Sequence, residues 1–340
     1  MRSQLKALLG AALICAALPW AEVPAANRPV QLLNVSYDVS RELFAQINPI
    51  FAQQWKAKTG QTVEVRQSHG GSSKQARSVA EGLQADVVTF NQVTDIEFLH
   101  KSGLVGADWQ NRFPHHASPY YSLPIILVRK GNPKRIKDWD DLARADVKVI
   151  FANPKTSGNG RYAYLGAYTF ALEKYQHDES KARAFVGRVL ANVPVLDTGG
   201  RGATTTFVEH EIGDALVTFE SEVSTLRQEY SKSALEVIMP SVSVRADFPV
   251  AVVDTVAARH GTGEIAHAYL EFLYSETGQE LLAKNYNRVY SHVVADRYKA
   301  QFPEVRLLSI ETAVGSWDEI MKTHFADGGV FDQVTGAEKH

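Results

Sequence analysis

Gln31-Leu32-Leu33-Asn34-Val35-Ser36-Tyr37-Asp38-Val39-Ser40 carries the pattern on which the fold turns. Residues 31–35, with Leu32, Leu33 and Val35 among them, read as a strand. Residues 36–40 are small, polar or hydroxyl-bearing and read as a loop. The helical periodicity then runs from 40 to 59, and Gly60 stops it. The same unit recurs along the chain. A strand at 62–67 precedes a helix at 73–83, and a buried strand follows at 86–90. A strand at 148–151 precedes a helix at 160–174, and one at 193–196 precedes a helix from 204. Further strands read at 125–129, 215–219 and 250–253, and the part beyond about 265 reads as mainly helical. Strands alternating with helices predict an α/β fold with mainly parallel sheets.

At 340 residues the chain exceeds one typical domain. A flexible tether between two domains should be rich in Pro, Gly and Ser, and none occurs. The extended segments 121–129 and 245–253 serve instead as crossings. They divide the chain into a discontinuous first lobe, 28–120 and 248–340, and a continuous second lobe, 124–244. Two lobes joined by paired hinge strands enclose a cleft that closes on a ligand.

The N-terminus has its own logic. Arg2 and Lys6 precede an apolar run at 7–20, then Val23-Pro24-Ala25. This is the layout of a secretory signal peptide cleaved near Ala25. The run is shorter than the ~20 residues a spanning helix needs. Cys15 is the only cysteine, and Ile14 before it is bulky where a lipoprotein signal wants a small residue. Cleavage leaves no cysteine, which excludes disulfides, thiolate catalysis and Cys-based metal sites. Net charge is −2, so no basic field is on offer to nucleic acid or anionic lipid.

Four loops follow strands and open helices: 36–40, Ser68-His69-Gly70-Gly71-Ser72-Ser73, Lys155-Thr156-Ser157-Gly158-Asn159 and Thr198-Gly199-Gly200-Arg201-Gly202. Such loops lie at the carboxyl ends of strands, where open α/β sheets bind ligands. Helix N-termini present unpaired N–H groups with a dipole that favours anions. Each loop alone is also an ordinary N-cap; four of them divided between two lobes suggest an anion site. Enzyme patterns are missing. His69-Gly70-Gly71 has no Gly-x-Ser-x-Gly partner, Ser72-Ser73-Lys74 is no Ser-x-x-Lys pair, and no His-Glu-x-x-His occurs. His69 reads as a packing residue. The sequence calls for no cofactor and no metal.

These loops, with Val128-Arg129-Lys130-Gly131-Asn132-Pro133-Lys134, Arg201-Gly202-Ala203-Thr204-Thr205-Thr206-Phe207 and Lys322-Thr323-His324-Phe325-Ala326, resemble the sulfate/thiosulfate-binding proteins of bacterial ABC transporters. The resemblance spans residues 31 to about 331. It implies the two-lobed, type II-like periplasmic-binding-protein fold, a periplasmic monomer, and delivery of thiosulfate or sulfate to an inner-membrane ABC permease complex. It also implies ligand contacts at the backbone of Asp38 and at Ser72, Ser157, Gly158, Asn159 and Gly200, with the Ser157 hydroxyl as a direct donor. The Asp38 carboxylate would repel a dianion, so it is expected to cap the helix beginning near Ser40.

Two positions depart from the sulfate-binding pattern. Phe219 stands where a tryptophan donates its indole N–H, and Asn159 stands where glycine is usual. Both look like the thiosulfate-binding branch. The Phe219 ring would pack on the ligand's soft sulfur, or it is a buried strand residue facing away. A site lined with donors alone would reject protonated anions such as phosphate. Arg161 and Arg201, with Arg41 and Lys74, lie near the loops and either lock the closed lobes or are solvated surface. Three other readings remain: a binder of another tetrahedral oxyanion such as molybdate, a secreted serine hydrolase using Ser72 or Ser157, and a purely structural envelope protein, which would show no ligand-dependent shift in melting temperature.

Overall fold

The computed structural model describes residues 29–229 and 235–336. The expected signal peptide lies outside the described residues.

Two main sheets organise the molecule. The first has the strand order β12-β3-β1-β2 and is built from β1 (Val30–Tyr37), β2 (Val63–Gly70), β3 (Val87–Thr89) and β12 (Val250–Val252). β1 is parallel to β2 and β3, while β12 runs antiparallel to β3. The second sheet has the order β7-β6-β8-β5-β9. Its strands are β5 (Pro124–Arg129), β6 (Val149–Ala152), β7 (Leu196–Asp197), β8 (Ala215–Phe219) and β9 (Leu235–Ile238). β6 is parallel to β7 and β8, and β5 is antiparallel to both β8 and β9. The expectation of mainly parallel sheets therefore holds for the strand–helix units. It fails for the strands that enter or leave a sheet at a crossing.

Those crossings form their own small sheet. β4 (Tyr120–Ser122) pairs antiparallel with β11 (Ala246–Phe248) and β13 (Arg288–Val289). β4 leads at once into β5 and β11 into β12, so the chain passes between the main sheets twice side by side.

β1 shows why these residues take these places. Leu32 and Val35 are fully buried, as helices on both faces of a parallel sheet require. Asn34 and Ser36 are fully buried as well, and each finds partners. Asn34 Nδ2 donates to the Tyr269 hydroxyl (3.2 Å) and Thr89 Oγ1 donates to Asn34 Oδ1 (3.0 Å), while Ser36 Oγ donates to the Thr89 carbonyl (2.8 Å). The helix after β1, Arg41–Thr59, ends at Gly60. There a φ of 76° lets the glycine N–H return to the Lys56 carbonyl.

The C-terminal segment packs on the second sheet's helices. β14 (Arg306–Leu308) pairs parallel with β10 (Val242–Val244). The rings of His324, Phe325 and Phe331 surround Tyr164 of the Gly158–Lys174 helix at 5.7, 5.2 and 6.0 Å. Lys155 Nζ bonds Asp332 at 2.6 Å.

His324 is buried, with Nδ1 2.9 Å from the Tyr164 hydroxyl. Burial, helped by the nearby Arg183 charge, lowers its pKa to about 4. Unfolded chain takes up that proton near pH 6.5. Between those values the unfolded state binds more protons, so this part of the stability is present above about pH 6.5 and is lost as pH falls toward 4. The melting temperature should therefore drop between pH 7 and pH 4.5. His324→Gln should reduce the underlying loss of unfolding free energy by up to about 1.4 kcal/mol per pH unit. An unchanged slope would mean that His324 is already charged in the fold.

Candidate functional site

The four loops converge. Gly71 opens the Ser72–Ala80 helix so close to the second sheet that a Cβ there would lie 2.7 Å from the Thr198 carbonyl and 2.8 Å from that of Thr156. A Cβ on Gly199 would overlap the Asp38 carboxylate. One on Gly200 would meet Val39 at 3.1 Å and Asn159 Nδ2 at 3.0 Å. The N-termini of the Ser72–Ala80, Gly158–Lys174 and Gly200–Val208 helices thus meet the 3-10 turn Asp38–Ser40 in one place.

Ser157 is the N-cap of the Gly158–Lys174 helix. Its Oγ accepts from the Gly160 N–H (3.4 Å), so its own proton stays available to donate. Gly158 and Asn159 are the first residues of that helix, whose leading N–H groups have no intrahelical acceptor. A Cβ on Gly158 would overlap the side chain of Asn91 from the loop after β3. Ser72 is 1% exposed, and its Oγ has no partner. Other buried polar atoms nearby are in the same condition, including Asn91 Oδ1, both amide atoms of Gln92, and Asn159 Oδ1. Buried polar groups are rarely left this way. A clustering of them marks a place built for a polar guest.

Asp38 departs from its expected role. Neither Tyr37 nor Ser40 caps the start of its helix with a side chain. The Asp38 carboxylate instead accepts from the Arg201 N–H at 3.0 Å, as well as from the Val39 N–H at 3.1 Å. It caps the Gly200–Val208 helix of the other sheet. Burial raises its pKa, and these N–H bonds oppose the rise.

Phe219 ends β8 and is 1% exposed, packed on Phe248 of β11 (5.1 Å) and on Tyr162 (5.8 Å). Tyr37, beside Asp38, touches the same Phe248 ring at 5.2 Å. Phe219 therefore belongs to an aromatic chain between the crossing strands and the Gly158–Lys174 helix.

The two supporting arginines are not idle surface. Arg161 is 3% exposed and pairs with buried Asp95 at 3.4 Å, which also accepts from Ser73 Oγ at 2.7 Å. Arg201 pairs with Glu42 at 2.6 Å. Each pair joins a helix of the first sheet to a helix N-terminus of the second. Arg41 and Lys74 are exposed. His69 fulfils its expected packing role. Its ring lies between the Tyr37 carbonyl and the Gln67 side chain, and burial lowers its pKa to about 4.

Sequence reasoning missed Asn91, Gln92, Asp95 and Glu222. Glu222 is 4% exposed, accepts from Asn159 Nδ2 (2.8 Å) and Thr204 Oγ1 (3.0 Å), and touches Thr218 Oγ1. The signal lay in Phe219-Glu220-Ser221-Glu222, two acids directly after a buried strand. Arg288 neutralises Glu220 at 2.6 Å; the contacts of Glu222 to Asn159, Thr204 and Thr218 are all with neutral groups. Among the described residues, no cluster of three or more His, Cys, Asp or Glu is placed to hold a metal ion.

Comparisons with known proteins agree with this geometry. Residues 36–286 match the family described as bacterial extracellular solute-binding protein. A thiosulfate-binding protein of Pseudomonas aeruginosa is 49% identical over 331 residues, covering 97% of this chain and 99% of its own. One from Escherichia coli is 51% identical, covering 91% and 92%. A sulfate-binding protein of Escherichia coli is 47% identical, covering 91% and 94%. Among solved structures, the sulfate-binding protein SubI of Mycobacterium tuberculosis H37Rv matches with a TM-score of 0.78 at 29% identity, over 87% of this chain and 99% of that one. A ferric binding protein of Campylobacter jejuni shares the fold, with a TM-score of 0.59 at 16% identity over 89% and 99%. With two α/β sheets facing each other across paired crossings, and with helix N-termini gathered between them, the chain belongs to the bacterial extracellular solute-binding proteins and is a binding protein, not an enzyme.

Proposed function

We propose that this chain captures thiosulfate or sulfate in the periplasm and delivers it to an inner-membrane ABC permease complex. The observation that carries the reading is the meeting of three helix N-termini and the 38–40 turn around unpartnered, buried, neutral polar atoms. Backbone N–H groups around Asp38, Gly158, Asn159 and Gly200, with the hydroxyls of Ser72 and Ser157, would hold the anion. Helix ends favour a dianion without a counter-cation. The lobes would carry one main sheet each, with 28–120 and 248–340 forming the first and 124–244 the second. The C-terminal segment would reach back over the second lobe. Closure would lock through Asp95–Arg161 and Glu42–Arg201 and create the surface that the permease reads. A leader cleaved near Ala25 and a monomeric state complete the proposal.

The names of the most similar relatives favour thiosulfate as the first ligand to test. Calorimetric titration of the mature protein, stripped of anion at pH 7, should give micromolar or tighter binding of thiosulfate or sulfate and no heat with phosphate. Ser157→Ala removes one donor to a charged ligand, worth about 1.5–3 kcal/mol, and should weaken binding roughly 10- to 100-fold. Tight phosphate binding would overturn the donor-only site; silence with all three anions would overturn the whole reading.

A further inference from the structure

The Asn159 carboxamide is placed at a cost. Its Nδ2 gives both hydrogens away, to Thr218 Oγ1 at 3.0 Å and to Glu222 Oε1 at 2.8 Å, while its Oδ1 is buried with no partner. The group lies beside Gly200, between the N-termini of the Gly158–Lys174 and Gly200–Val208 helices. Oxygen and nitrogen of a carboxamide are nearly the same size, so a half-turn exchanges them without repacking. After that turn Nδ2 occupies the unpartnered position and seeks an acceptor. Oδ1 then lies 2.8 Å from Glu222 Oε1, where two bare oxygens repel and a carboxylic O–H bonds.

We propose that Asn159 and Glu222 form one ligand-sensing unit, in which Glu222 takes a proton from solvent as the dianion binds and Asn159 turns its Nδ2 onto the anion. The proposal rests on the oxyanion reading above and adds a side-chain donor to a site described so far through backbone and hydroxyl groups. It also gives a role to Asn159, and it supplies the donor that Phe219 cannot.

The surroundings of Glu222 agree from every side. The charged group facing it from the 38–40 turn is Asp38, whose negative charge disfavours a second one. Tyr37 on β1 also feels the Glu222 charge. From β8 it meets the Thr218 hydroxyl and the Phe219 backbone N–H, and from the Gly200–Val208 helix the Thr204 hydroxyl, all neutral groups. Burial, foremost, and the Asp38 charge, against the bonds from Thr218, Thr204 and the Phe219 N–H, bring its pKa to about 7 without ligand. A dianion arriving beside it pushes the proton on more firmly.

The test is calorimetric titration of the wild-type mature protein with sodium thiosulfate at pH 7 and 8.5, in two buffers of different ionisation enthalpy. Proton uptake should approach one per anion at pH 8.5, and affinity should fall roughly tenfold from pH 7 to 8.5. Glu222→Gln carries a permanent N–H donor and should show no uptake and a flat affinity. If that variant does not fold, infrared difference spectra of the wild type replace it, and a carboxylic-acid carbonyl band should appear on binding. Binding without proton uptake, or uptake that persists in Glu222→Gln, overturns this inference alone. No binding of thiosulfate or sulfate at either pH fails the functional reading instead.

Discussion

Gly71→Ala is expected to weaken anion binding roughly ten- to a hundredfold and to leave the melting temperature of the unliganded protein within a few degrees of wild type. The backbone at Gly71 (φ −53°, ψ 131°) suits alanine as well as glycine. Within its own sheet and helix the substitution is thus neutral, or slightly favourable through the unfolded chain. The obstacle lies across the cleft. The new methyl would sit 2.7 and 2.8 Å from the carbonyl oxygens of Thr198 and Thr156. Those are backbone atoms, held by the loops that open the Gly158–Lys174 and Gly200–Val208 helices, and they cannot rotate aside as a side chain does. Relief requires the two sheets to part by several tenths of an ångström. Overpacking of this kind costs about 1–3 kcal/mol. The same movement lengthens every hydrogen bond that needs both sides at once. Titration with thiosulfate and a thermal scan without it separate the outcomes. Unchanged affinity would mean that the ligand does not need this approach. A large loss of stability would mean that the contact belongs to folding rather than to closure.

Removing Asp95 should be the most damaging charge change. Asp95→Ala leaves the Arg161 guanidinium, 3% exposed, with no carboxylate. Breaking one side of a buried pair costs about 3–5 kcal/mol, because the remaining charge stays desolvated. The pair is imperfect, since Asp95 Oδ2 and Arg161 Nε lack partners. Its net contribution against an apolar pair is therefore small. The double variant Asp95→Leu with Arg161→Met should recover most of the lost stability in chemical denaturation. The two single losses should be strongly non-additive. Additive losses would show that the residues act separately. Recovered stability with lost anion affinity would assign the pair to closure, its position between Ser73 and the Gly158–Lys174 helix being the reason.

Much of this was legible in advance, for identifiable reasons. The strand, small-residue loop and helix at 31–59 are local, and Gly60 closes the helix as its neighbours demand. The convergence of the four loops followed from the rule that ligands gather at strand carboxyl ends. What escaped was non-local. β2 runs on to Gly70 because Ser68, His69 and Gly70 pair with Val35, Ser36 and Tyr37 of β1, a partnership their polarity hides. The Gly200–Val208 helix begins four residues before the expected start. Gly-Arg-Gly is a poor helix opening by propensity, and its cap is a carboxylate 163 residues away. The isolated identity of Asp38 suggested a local cap; only the tertiary fold shows which helix receives it. β9, β10, β11 and β14 are short and depend on partners far along the chain.

The strand order of the first sheet has a consequence for how the molecule comes to exist. β3 waits for β12 on its open side, and β12 begins only at Val250. Until about three quarters of the chain has been synthesised, β3 is an unsatisfied edge and the residues before it cannot finish their sheet. Sequence-distant pairing of this kind is slow to form. A nascent chain so arranged stays unfolded late. It therefore remains thin enough to be threaded through a narrow channel, and it acquires its resistance to proteases only after the segment from Val250 onward has begun to arrive.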